Sequence, residues 1–515
     1  MKTSTTVLTA AAMLAAVGLH APQASAATPK AGGKCTAAQV GTTAAAGSTN
    51  LECRKSGTSG RWVRVTATTA APTTAAPATT AAPAPAAVAT TAAPAAAAVN
   101  GQGVTDSTIK IGFLDPAFKT PAGFLPSSTG NATAQITAVV DYINANGGIG
   151  GRKVLPVIKQ FDLSASNRDQ AAALCAAFGD DEKVFAVSSQ SVVVAAASRE
   201  CFAQKKVLWL EGAGSFPLDL KTLERMSPYG FMTNLPAIDR VGTSYAKMLA
   251  DEKFFGADPK AAKVGIISMN DDPYTRAVAD LKVELKKIGV EPVDTVFFDT
   301  TSQDTVSRDS TAAATRFAAK QIDHVISLVS AGNAMQFMWT GSDNNYYPRM
   351  SFTSYDNIAV TQNGSAFRLR AVSKDSFKDA LAIGFYPIAD TEDTQNIFPQ
   401  GGSEKKCIDI YTARQQITGF ERRYLSRYAQ SYCDNMFFLK TVADKIKGPL
   451  NAANFTAVAE TLGSKGFDAS MGWLTKFGPG RHDGGDGYRV LKFDPNCSKP
   501  LNGCFVYSSD VRPFA

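Results

Sequence analysis

The segment Ser188-Ser189-Gln190-Ser191 carries the side chains best suited to hold an anion. It follows the apolar run Val184–Val187, and the residues Val192–Cys201 after it have a helical pattern. Small hydroxyls and free backbone N–H groups at the start of a helix attract negative charge. The segment is therefore predicted to bind a ligand carboxylate through Ser189, Gln190 or Ser191. Alternatively, one serine only caps the helix.

A second polar segment, Gly212-Ala213-Gly214-Ser215, follows the apolar run Val207–Leu210. Glycine allows a ligand to approach the backbone closely, and the hydroxyl of Ser215 could then donate a hydrogen bond to it. Ala213 and Ser215 are therefore candidate ligand contacts. The alternative is an ordinary turn.

Two later segments offer aromatic rings and a carboxylate. Tyr274 lies in the segment Asn270–Tyr274, and a tyrosine face can cover an apolar or cationic group, although Tyr274 could instead pack in a hinge. Tyr355 and Asp356 follow the apolar run Met350–Thr353. The Asp356 carboxylate could pair with a ligand ammonium, or it could cap a following helix.

Two weaker candidates complete this set. Phe118 lies in the long loop after the first apolar run of the body and could cover a pocket, and Ser330–Asn333 follows the run Val325–Val329.

The elements that must position these side chains are most visible around Asp141–Asp162. Four apolar residues recur at helical spacing before Asn146-Gly147-Gly148, where the backbone can end a helix with positive φ. The run Val154–Ile158 then has the continuous apolar character of a strand covered on both faces. The order of helix, glycine and strand ends at Phe161-Asp162 and is repeated at Phe298-Asp299, 137 residues later.

This repetition predicts an α/β protein with two doubly wound lobes joined by a hinge. The first lobe is expected over about 104–233 and 360–485, and the second over about 234–359 and 486–515. The crossings are expected near Met232–Pro236, Ser354–Asn357 and the last segment. Ligands bind beyond the carboxyl ends of strands in such sheets, so the ligand cleft is predicted between the lobes.

Three regions precede the lobes. Residues 1–26 have the n-region, apolar core and Ala-Ser-Ala cleavage site of a signal peptide, and they contain no lipoprotein cysteine. Residues 27–65 form a small basic module with two cysteines, and residues 66–103 form an Ala/Thr/Pro-rich linker that cannot pack a core. The protein is therefore expected to be exported and to be extracellular, periplasmic or associated with the cell wall.

The cysteines and charges exclude several classes of function. Eight cysteines allow 105 connectivities, of which neighbour pairing is the simplest: Cys35 with Cys53, Cys175 with Cys201, Cys407 with Cys433 and Cys497 with Cys504. None has the CxxC spacing typical of a metal site. Residues 27–65 carry six Lys or Arg against one Glu, so that residues 66–515 are left with a net charge of +1. The body therefore lacks the excess of positive charge that is typical of nucleic-acid-binding proteins. The basic module either contacts an anionic cell-wall polymer or is simply solvated.

Catalytic motifs are missing from the sequence. The GGIGG element lies between a helix and a strand, whereas dinucleotide-binding glycines follow a strand and open a helix. Neither HExxH nor GxSxG occurs, and Arg481-His482-Asp483 is interpreted as a turn, with His324 structural. We therefore expect no enzyme activity, no cofactor and no metal.

The segment INANGGIGGRKV at Ile143–Val154, with the strand and acidic residue after it, resembles the type I periplasmic binding proteins. The body is most similar to the branched-chain amino-acid class of ABC transporter substrate-binding proteins, which includes the Leu/Ile/Val-binding proteins. Val264–Asp271 with its Pro273-Tyr274 loop, and Gly478–Asp494, share the likeness. The resemblance extends from Val104 to the C-terminus.

The resemblance implies roles for several of the candidates. Members of the class bind the amino-acid carboxylate with serines and amides at the position of Ser188–Ser191, and they carry a ligand-facing tyrosine at the position of Tyr274. An acid at the position of Asp356 would pair with the ammonium. Members have a small residue and a hydroxyl after the next strand, but here Gly214 moves Ser215 one place along.

The implied function is capture of a small carboxylate ligand, an amino acid being favoured, by a monomer that delivers it to a membrane permease. Four alternatives stay open: a sensor or scavenger without a permease, a binding protein held at the cell wall, a secreted hydrolase, and a structural wall protein.

Overall fold

Four short strands form an antiparallel sheet within the first of two units, Met1–Thr91. They are β1 (Lys34–Cys35), β2 (Thr43–Ala46), β3 (Thr49–Ser56) and β4 (Ser59–Arg64), in the order β1-β4-β3-β2. Cys53 is fully buried and disulfide-bonded. The side chain of Cys35 lies outside the described residues, so the predicted Cys35–Cys53 pairing stays a prediction.

This structure is a computed structural model of the 515-residue chain. It describes residues 34–35, 43–46, 49–56, 59–64, 99–117, 131–162, 167–189, 196–212, 217–299, 303–356, 358, 361, 372–391, 401–414, 423–497 and 503–515. The predicted signal peptide and residues 66–98 of the linker lie outside these ranges.

The first lobe of the second unit contains a parallel five-stranded sheet. Its strands are β5 (Thr108–Ala117), β6 (Lys153–Asp162), β7 (Ala186–Ser189), β8 (Leu208–Glu211) and β9 (Gly230–Met232), in the order β6-β5-β7-β8-β9. The connecting helices are α1 (Ala132–Ala145), α2 (Asn167–Ala176), α3 (Ala196–Gln204) and α4 (Leu220–Met226). A π-helical turn, Ala177–Asp181, extends α2.

The second lobe repeats the design around a larger sheet. Its strands are β10 (Val264–Met269), β11 (Asp294–Phe298), β12 (His324–Leu328), β13 (Arg349–Thr353), β14 (Leu381–Gly384), β15 (Gly487–Asp494), β16 (Cys504–Tyr507) and β17 (Arg512–Pro513). The order is β11-β10-β12-β13-β14-β15-β16, with β17 on β15; β10 to β14 are parallel and the later strands antiparallel. Its helices are α5 (Ile238–Asp251), α6 (Asp272–Lys287), α7 (Gln303–Ala319) and α8 (Ala331–Asp343). Short 3-10 turns occupy Pro259–Ala261, Ser354–Asp356 and Lys374–Phe377.

Three later helices return to the first lobe: α9 (Gly402–Thr412), α10 (Arg427–Ala443) and α11 (Ala452–Ala459). A 3-10 turn, Arg423–Ser426, leads into α10. Every residue of α10 from Arg427 to Leu439 is buried, as expected for a helix inserted into a core rather than laid upon it. Phe438 packs its ring 5.5 Å from that of Phe231 in β9, which joins the inserted helix to the sheet.

The glycine turn after α1 is explained by its backbone. Gly147, Gly148, Gly150 and Gly151 all have positive φ, which costs glycine little and other residues more. At Gly148 a Cβ would also overlap the carbonyl oxygen of Arg152. The turn must therefore be glycine-rich to lead from α1 into β6.

The structure corrects the predicted lobe boundary and one predicted crossing. Strand β14 pairs with β13. The first part of the second lobe therefore extends beyond residue 359, the position at which it was predicted to end. The segment Ser354–Asp356 is a turn within this lobe and not a crossing. The chain crosses instead after β9, between β14 and α9, and between α11 and β15.

The first and third crossings lie side by side. The backbone N–H of Met232 donates to His482 O at 2.9 Å, and Gly484 N–H donates to Met232 O at 2.7 Å. Arg240 of α5 pairs with Asp483 at 2.7 Å. These bonds join the two crossing segments to each other and to the second lobe.

Three of the four predicted disulfides are confirmed. Cys175–Cys201 joins α2 to α3, Cys407–Cys433 joins α9 to α10, and Cys497–Cys504 closes the turn between β15 and β16. In the part of the chain that the structure describes, no cysteine is free, no helix is long and apolar enough to cross a bilayer, and no group of acidic, His or Cys side chains could hold a metal ion.

Candidate functional site

The carboxyl ends of β7 and β8 form the polar edge of the first sheet. Ser189 and Glu211 face each other in register as the last residues of these strands, and both are fully buried. The predicted strand Val184–Val187 ends two residues later than expected, at Ser189, and the described part of the next helix is Ala196–Gln204. Ser188 and Ser189 thus belong to the strand.

Asn435 of α10 binds this edge. Its Nδ2 donates to Ser188 Oγ at 2.9 Å and lies within bonding distance of the carbonyl oxygens of Ser189, at 3.2 Å, and Leu210, at 3.1 Å. Its Oδ1 accepts from Thr233 Oγ1 at 2.9 Å. One amide therefore holds the ends of two strands and the start of the first crossing. Sequence reasoning missed Asn435, although a polar pair within the apolar run of α10 was a signal.

The neighbouring residue Asp434 fixes the crossing itself. Its carboxylate accepts from Asn234 Nδ2 at 2.8 Å and from the backbone N–H of Ser470 at 2.6 Å. Asn234 also donates to Gly212 O. Burial raises the pKa of Asp434 to about 7, while these hydrogen bonds act in the opposite direction.

A second cluster that the sequence did not indicate surrounds Glu211. Its Oε2 accepts from Trp209 Nε1 at 2.8 Å and lies 3.6 Å from Arg199 Nε. The side chains of Glu211 and Arg199 are both completely buried. Burial raises the pKa of Glu211, and the charge of Arg199 opposes that rise. A buried ion pair thus stands immediately beside Ser189.

Tyr274 and Tyr355 bring the second lobe to this cluster. Tyr274 lies in the first turn of α6 rather than in a loop, and both side chains are buried. Burial raises the pKa of each phenol well above its ordinary value, and the positive charge of Arg199 offsets only part of that rise. Tyr355 Oη donates to Pro236 O at 2.6 Å, which links the second sheet to the first crossing.

Asp356 is directed into its own lobe. It is fully buried, and it accepts hydrogen bonds from Ser327 Oγ at 2.6 Å, Val329 N–H at 3.1 Å and Thr353 Oγ1 at 2.9 Å, as well as from Thr353 N–H. Burial raises its pKa to about 7 against these bonds. Both oxygens therefore hold the ends of β12 and β13. These bonds all go to residues that precede Asp356, so the predicted cap of a following helix and the predicted ammonium role both stay predictions.

A polar contact between the lobes flanks the site. Asp219, the N-cap of α4, is bonded to Arg276 of α6, and Leu220 N–H donates to Asp239 Oδ2 of α5 at 2.5 Å. Burial raises the pKa of Asp239 to about 6, although the bond from Leu220 lowers it. These bonds hold α4 of the first lobe against the second.

The other predicted contacts cannot be placed in the site. Phe118, Gln190, Ser191, Ala213 and Ser215 lie outside the described residues. Of the nine predicted ligand contacts, the structure therefore positions Ser189, Tyr274, Tyr355 and Asp356. It brings the first three around Arg199 and Glu211.

The histidines of the body have structural surroundings. His482 is buried and stacks on Phe231, with ring centres 4.5 Å apart, and its Nε2 lies 3.0 Å from Glu460 Oε1. His324 starts β12 and contacts Asp323 at 2.6 Å. Neither lies at the carboxyl edge of its sheet.

A family model described as "Periplasmic binding protein" matches residues 108–494. Among curated proteins, none matches the chain in sequence. Solved structures share the fold, with identities too low to indicate more than the fold.

Three of these solved structures are ABC transporter proteins. An ABC transporter substrate-binding protein of Desulfitobacterium hafniense, in complex with Leu, is 17% identical with a TM-score of 0.50; the match covers 78% of this chain and 100% of that one. A solute-binding protein of Rhodopseudomonas palustris BisB5, in complex with 3,4-dihydroxybenzoic acid, is 15% identical with a TM-score of 0.54, over 79% and 98%. A fatty acid ABC transporter substrate-binding protein of Thermomonospora curvata is 14% identical with a TM-score of 0.56, over 81% and 95%.

Proposed function

The chain belongs to the periplasmic binding protein family, a family of solute-binding proteins rather than enzymes, and we propose that it captures a small carboxylate-bearing ligand between its lobes for delivery to an ABC transporter permease. The observation that carries this proposal is the meeting of the two sheets at one polar cluster. Ser189 and Glu211 end adjacent strands of the first lobe, and Tyr274 and Tyr355 of the second lobe share the field of Arg199.

The chemistry of the first lobe's edge supports a carboxylate ligand. The hydroxyls of Ser188 and Ser189 lie where a strand ends, and next to Glu211 the buried Arg199, which is paired with it, adds a positive charge. Charge-assisted hydrogen bonds to a carboxylate are stronger than neutral ones. The ligands named for the similar solved structures, Leu, dihydroxybenzoic acid and fatty acid, all have a carboxylate in common.

An amino acid is the ligand we favour within this class. The proposal assigns Ser189, Gln190, Ser191, Ala213 and Ser215 to the carboxylate end, Tyr274, Tyr355 and Phe118 to the side chain, and Asp356 to the ammonium. For Asp356 to serve in this way, it would have to exchange part of its bonding within the second lobe for the ligand.

Transport requires the lobes to open and close. The three crossings form a hinge about which the lobes can rotate, and a ligand that contacts both lobes favours the closed form. We propose that a permease recognises the closed form. Export by the 1–26 segment, and retention at the cell surface through residues 27–65 and the linker, would keep a secreted monomer close to that permease.

A thermal-unfolding screen of the mature protein tests the ligand class. The panel contains amino acids, the matching amines without a carboxylate, and aromatic and aliphatic acids without an ammonium. A ligand at 100 times its Kd adds roughly 2.7 kcal/mol to the free energy of unfolding. We expect shifts with acids and none with amines. A panel in which only amines shift the melting point would contradict the carboxylate assignment.

The ammonium role is tested separately with Asp356→Asn. The expected result is weaker binding of amino acids with unchanged binding of acids that lack an ammonium. Asp390→Asn is the matched control, because Asp390 is also fully buried with a pKa of about 7 and bonds Ser354 at 2.7 Å. Equal loss for both ligand types would remove Asp356 from the site without affecting the carboxylate assignment.

A further inference from the structure

Two adjoining surface cavities lie at the other end of the first lobe, away from the cleft. The larger has a volume of about 630 Å³ and the smaller about 320 Å³, and both are lined by Lys440 and Asp444. Their walls come from the end of α1, the turn Gly147–Arg152, the end of α10 and the segment Lys465–Asp468. Since that turn precedes β6, the cavities lie at the amino ends of the strands. We call the two cavities together the basic groove.

Several cations of the basic groove are not neutralised. Lys406 Nζ lies over two rings, 4.7 Å from the centre of Phe437 and 5.4 Å from that of Tyr142. Arg152 donates to two backbone carbonyl oxygens, Thr105 O at 2.7 Å and Gly150 O at 2.9 Å. Over the described ranges, neither of these cations nor Lys465 forms an ion pair with a carboxylate.

The two carboxylates of the groove are already engaged by the protein. Asp444 accepts from the backbone N–H of Gly150 at 2.8 Å and pairs with Lys440 at 2.9 Å. Asp468 accepts from the backbone N–H of Ser403 at 3.2 Å, at the start of α9. They hold the walls together and leave the remaining cations facing solvent.

The charge of this face differs from that of the body as a whole. The groove is lined by four cations against two carboxylates, and the exposed residues Lys445 and Lys447 lie next to lining residues in the sequence. Residues 66–515 together carry a net charge of only +1. Positive charge is therefore concentrated at this face, and a concentrated patch attracts polyanions.

The chain enters the body at the edge of the same groove. Val99 O accepts from Asn451 Nδ2 at 2.9 Å, Asn100 Oδ1 accepts from Leu450 N–H at 2.9 Å, and Gly101 N–H donates to Leu450 O at 2.8 Å. Leu450 lines the smaller cavity. The described residues 99–101 therefore lie beside this groove.

We propose that the basic groove is a second binding site, for a polyanionic glycan. An open groove in which Lys406 and Lys465 are exposed suits a chain of repeated negative charges better than one small molecule. Of the rings that line the groove, Phe437 and Phe467 are buried and Tyr142 has Lys406 over its face, so the groove offers little free ring surface for the base stacking that single-stranded nucleic acid uses. Binding here would add to any contact made by the basic module, since linked weak sites reinforce one another.

The test uses the mature protein with its N-terminal module, and polygalacturonate as the probe. Neutral dextran of similar length tests whether binding depends on the negative charge of the glycan. Single-stranded DNA tests whether nucleic acid binds instead. Affinity electrophoresis should show binding to polygalacturonate that weakens with salt and no binding to dextran. The double variant Lys406→Glu/Lys465→Glu should weaken that binding at least about fivefold.

The matched control is Lys260→Glu/Lys286→Glu, which makes the same charge change at two exposed residues of the second lobe. It should bind polygalacturonate nearly as well as the unchanged protein, and both variants should keep the melting temperature and its shift with the cleft ligand. Equal weakening by both double variants, no effect of the groove variant, or tighter binding of the DNA probe would each overturn the proposal.

Discussion

The carboxyl edges of the two sheets are stabilised by residues from very different distances along the chain. In the first lobe, Asn435 reaches Ser188 across 247 positions of sequence. In the second lobe, Asp356 bonds Thr353 three residues away and Ser327 at a separation of 29. Two lobes of like design therefore stabilise the carboxyl edges of their sheets by different means, the first by an inserted helix and the second by its own turn.

The difference affects how each lobe can respond to a ligand. Helix α10 is reached only after the chain has passed through the second lobe, and its residues Asp434 and Asn435 bind both the strand ends and the first crossing, at Thr233 and Asn234. The edge of the first lobe is thus coupled to the hinge. The edge of the second lobe contacts the crossings through Tyr355, which bonds Pro236 O, and through Gly384 O, which accepts from Trp473 Nε1 at 3.2 Å.

The largest effect is expected from Asp356→Ala. The change leaves Ser327 Oγ and two backbone N–H groups buried without an acceptor, and we expect a loss of about 3–5 kcal/mol in the free energy of unfolding. Urea unfolding measures the loss, with the exposed residue Glu291→Ala as control. A loss below about 1 kcal/mol would show that the local bonding of the second lobe is dispensable.

Asn435→Leu is expected to cost somewhat less, about 2–4 kcal/mol. Leucine fits the apolar surroundings of α10 but removes the buried hydrogen bonds that Asn435 makes to Ser188, Thr233 and the carbonyl oxygens of Ser189 and Leu210. Hydrogen exchange should show faster exchange in β7 to β9, with the second sheet unchanged. Equal changes in both sheets would contradict the separate stabilisation of the two edges.

A change of pH should affect the second lobe more than the first. Burial raises the pKa of Asp356, Asp390 and Asp434 to about 7, against an ordinary value of 3.8 in the unfolded chain. The folded state therefore binds more protons between these values, and the associated stability is present below pH 4 and is lost as the pH rises through 7.

We expect a melting midpoint lower by roughly 5 °C at pH 8 than at pH 5. Two of the three acids lie in the second lobe, so its amides should show the larger increase in exchange at pH 8. Asp390→Asn should reduce the pH dependence. A midpoint that rises between pH 5 and pH 8 would mean that these acids do not govern stability in this range.

The smallest effect concerns the contact between the lobes. Arg276→Met removes the partner of Asp219, and since the Arg276 side chain is 28% exposed we expect a loss of only about 1 kcal/mol. The loss should favour the open form, with a larger radius of gyration by small-angle X-ray scattering and a cleft affinity lower by about fivefold. Arg308→Met, at a 67% exposed side chain, is the control and should change neither.

Much of the fold could be predicted from short stretches of sequence. The order of helix, glycine and strand before Phe161-Asp162 and again before Phe298-Asp299 correctly predicted two α/β lobes, and the observed strands β6 and β11 end at or beside those residues. The pairing of cysteines with their sequence neighbours was confirmed for three bridges. The predicted lobe boundary was wrong because β14 is only four residues long. The hydrophobic pattern of so short a run does not show that it is a strand or which sheet it joins.

The sequence by itself determined the strands, the turns and the segments that follow the strands, because hydrophobic period and glycine conformation are properties of neighbouring residues. Only the tertiary structure decided which polar groups meet. It placed Asn435 against strands more than 200 residues away and Asp434 against the first crossing, put Glu211 beside Arg199, and directed Asp356 into its own lobe. The physical reason is that a buried polar group takes the partner that folding brings to it, and the spacing of residues along the chain does not specify that partner.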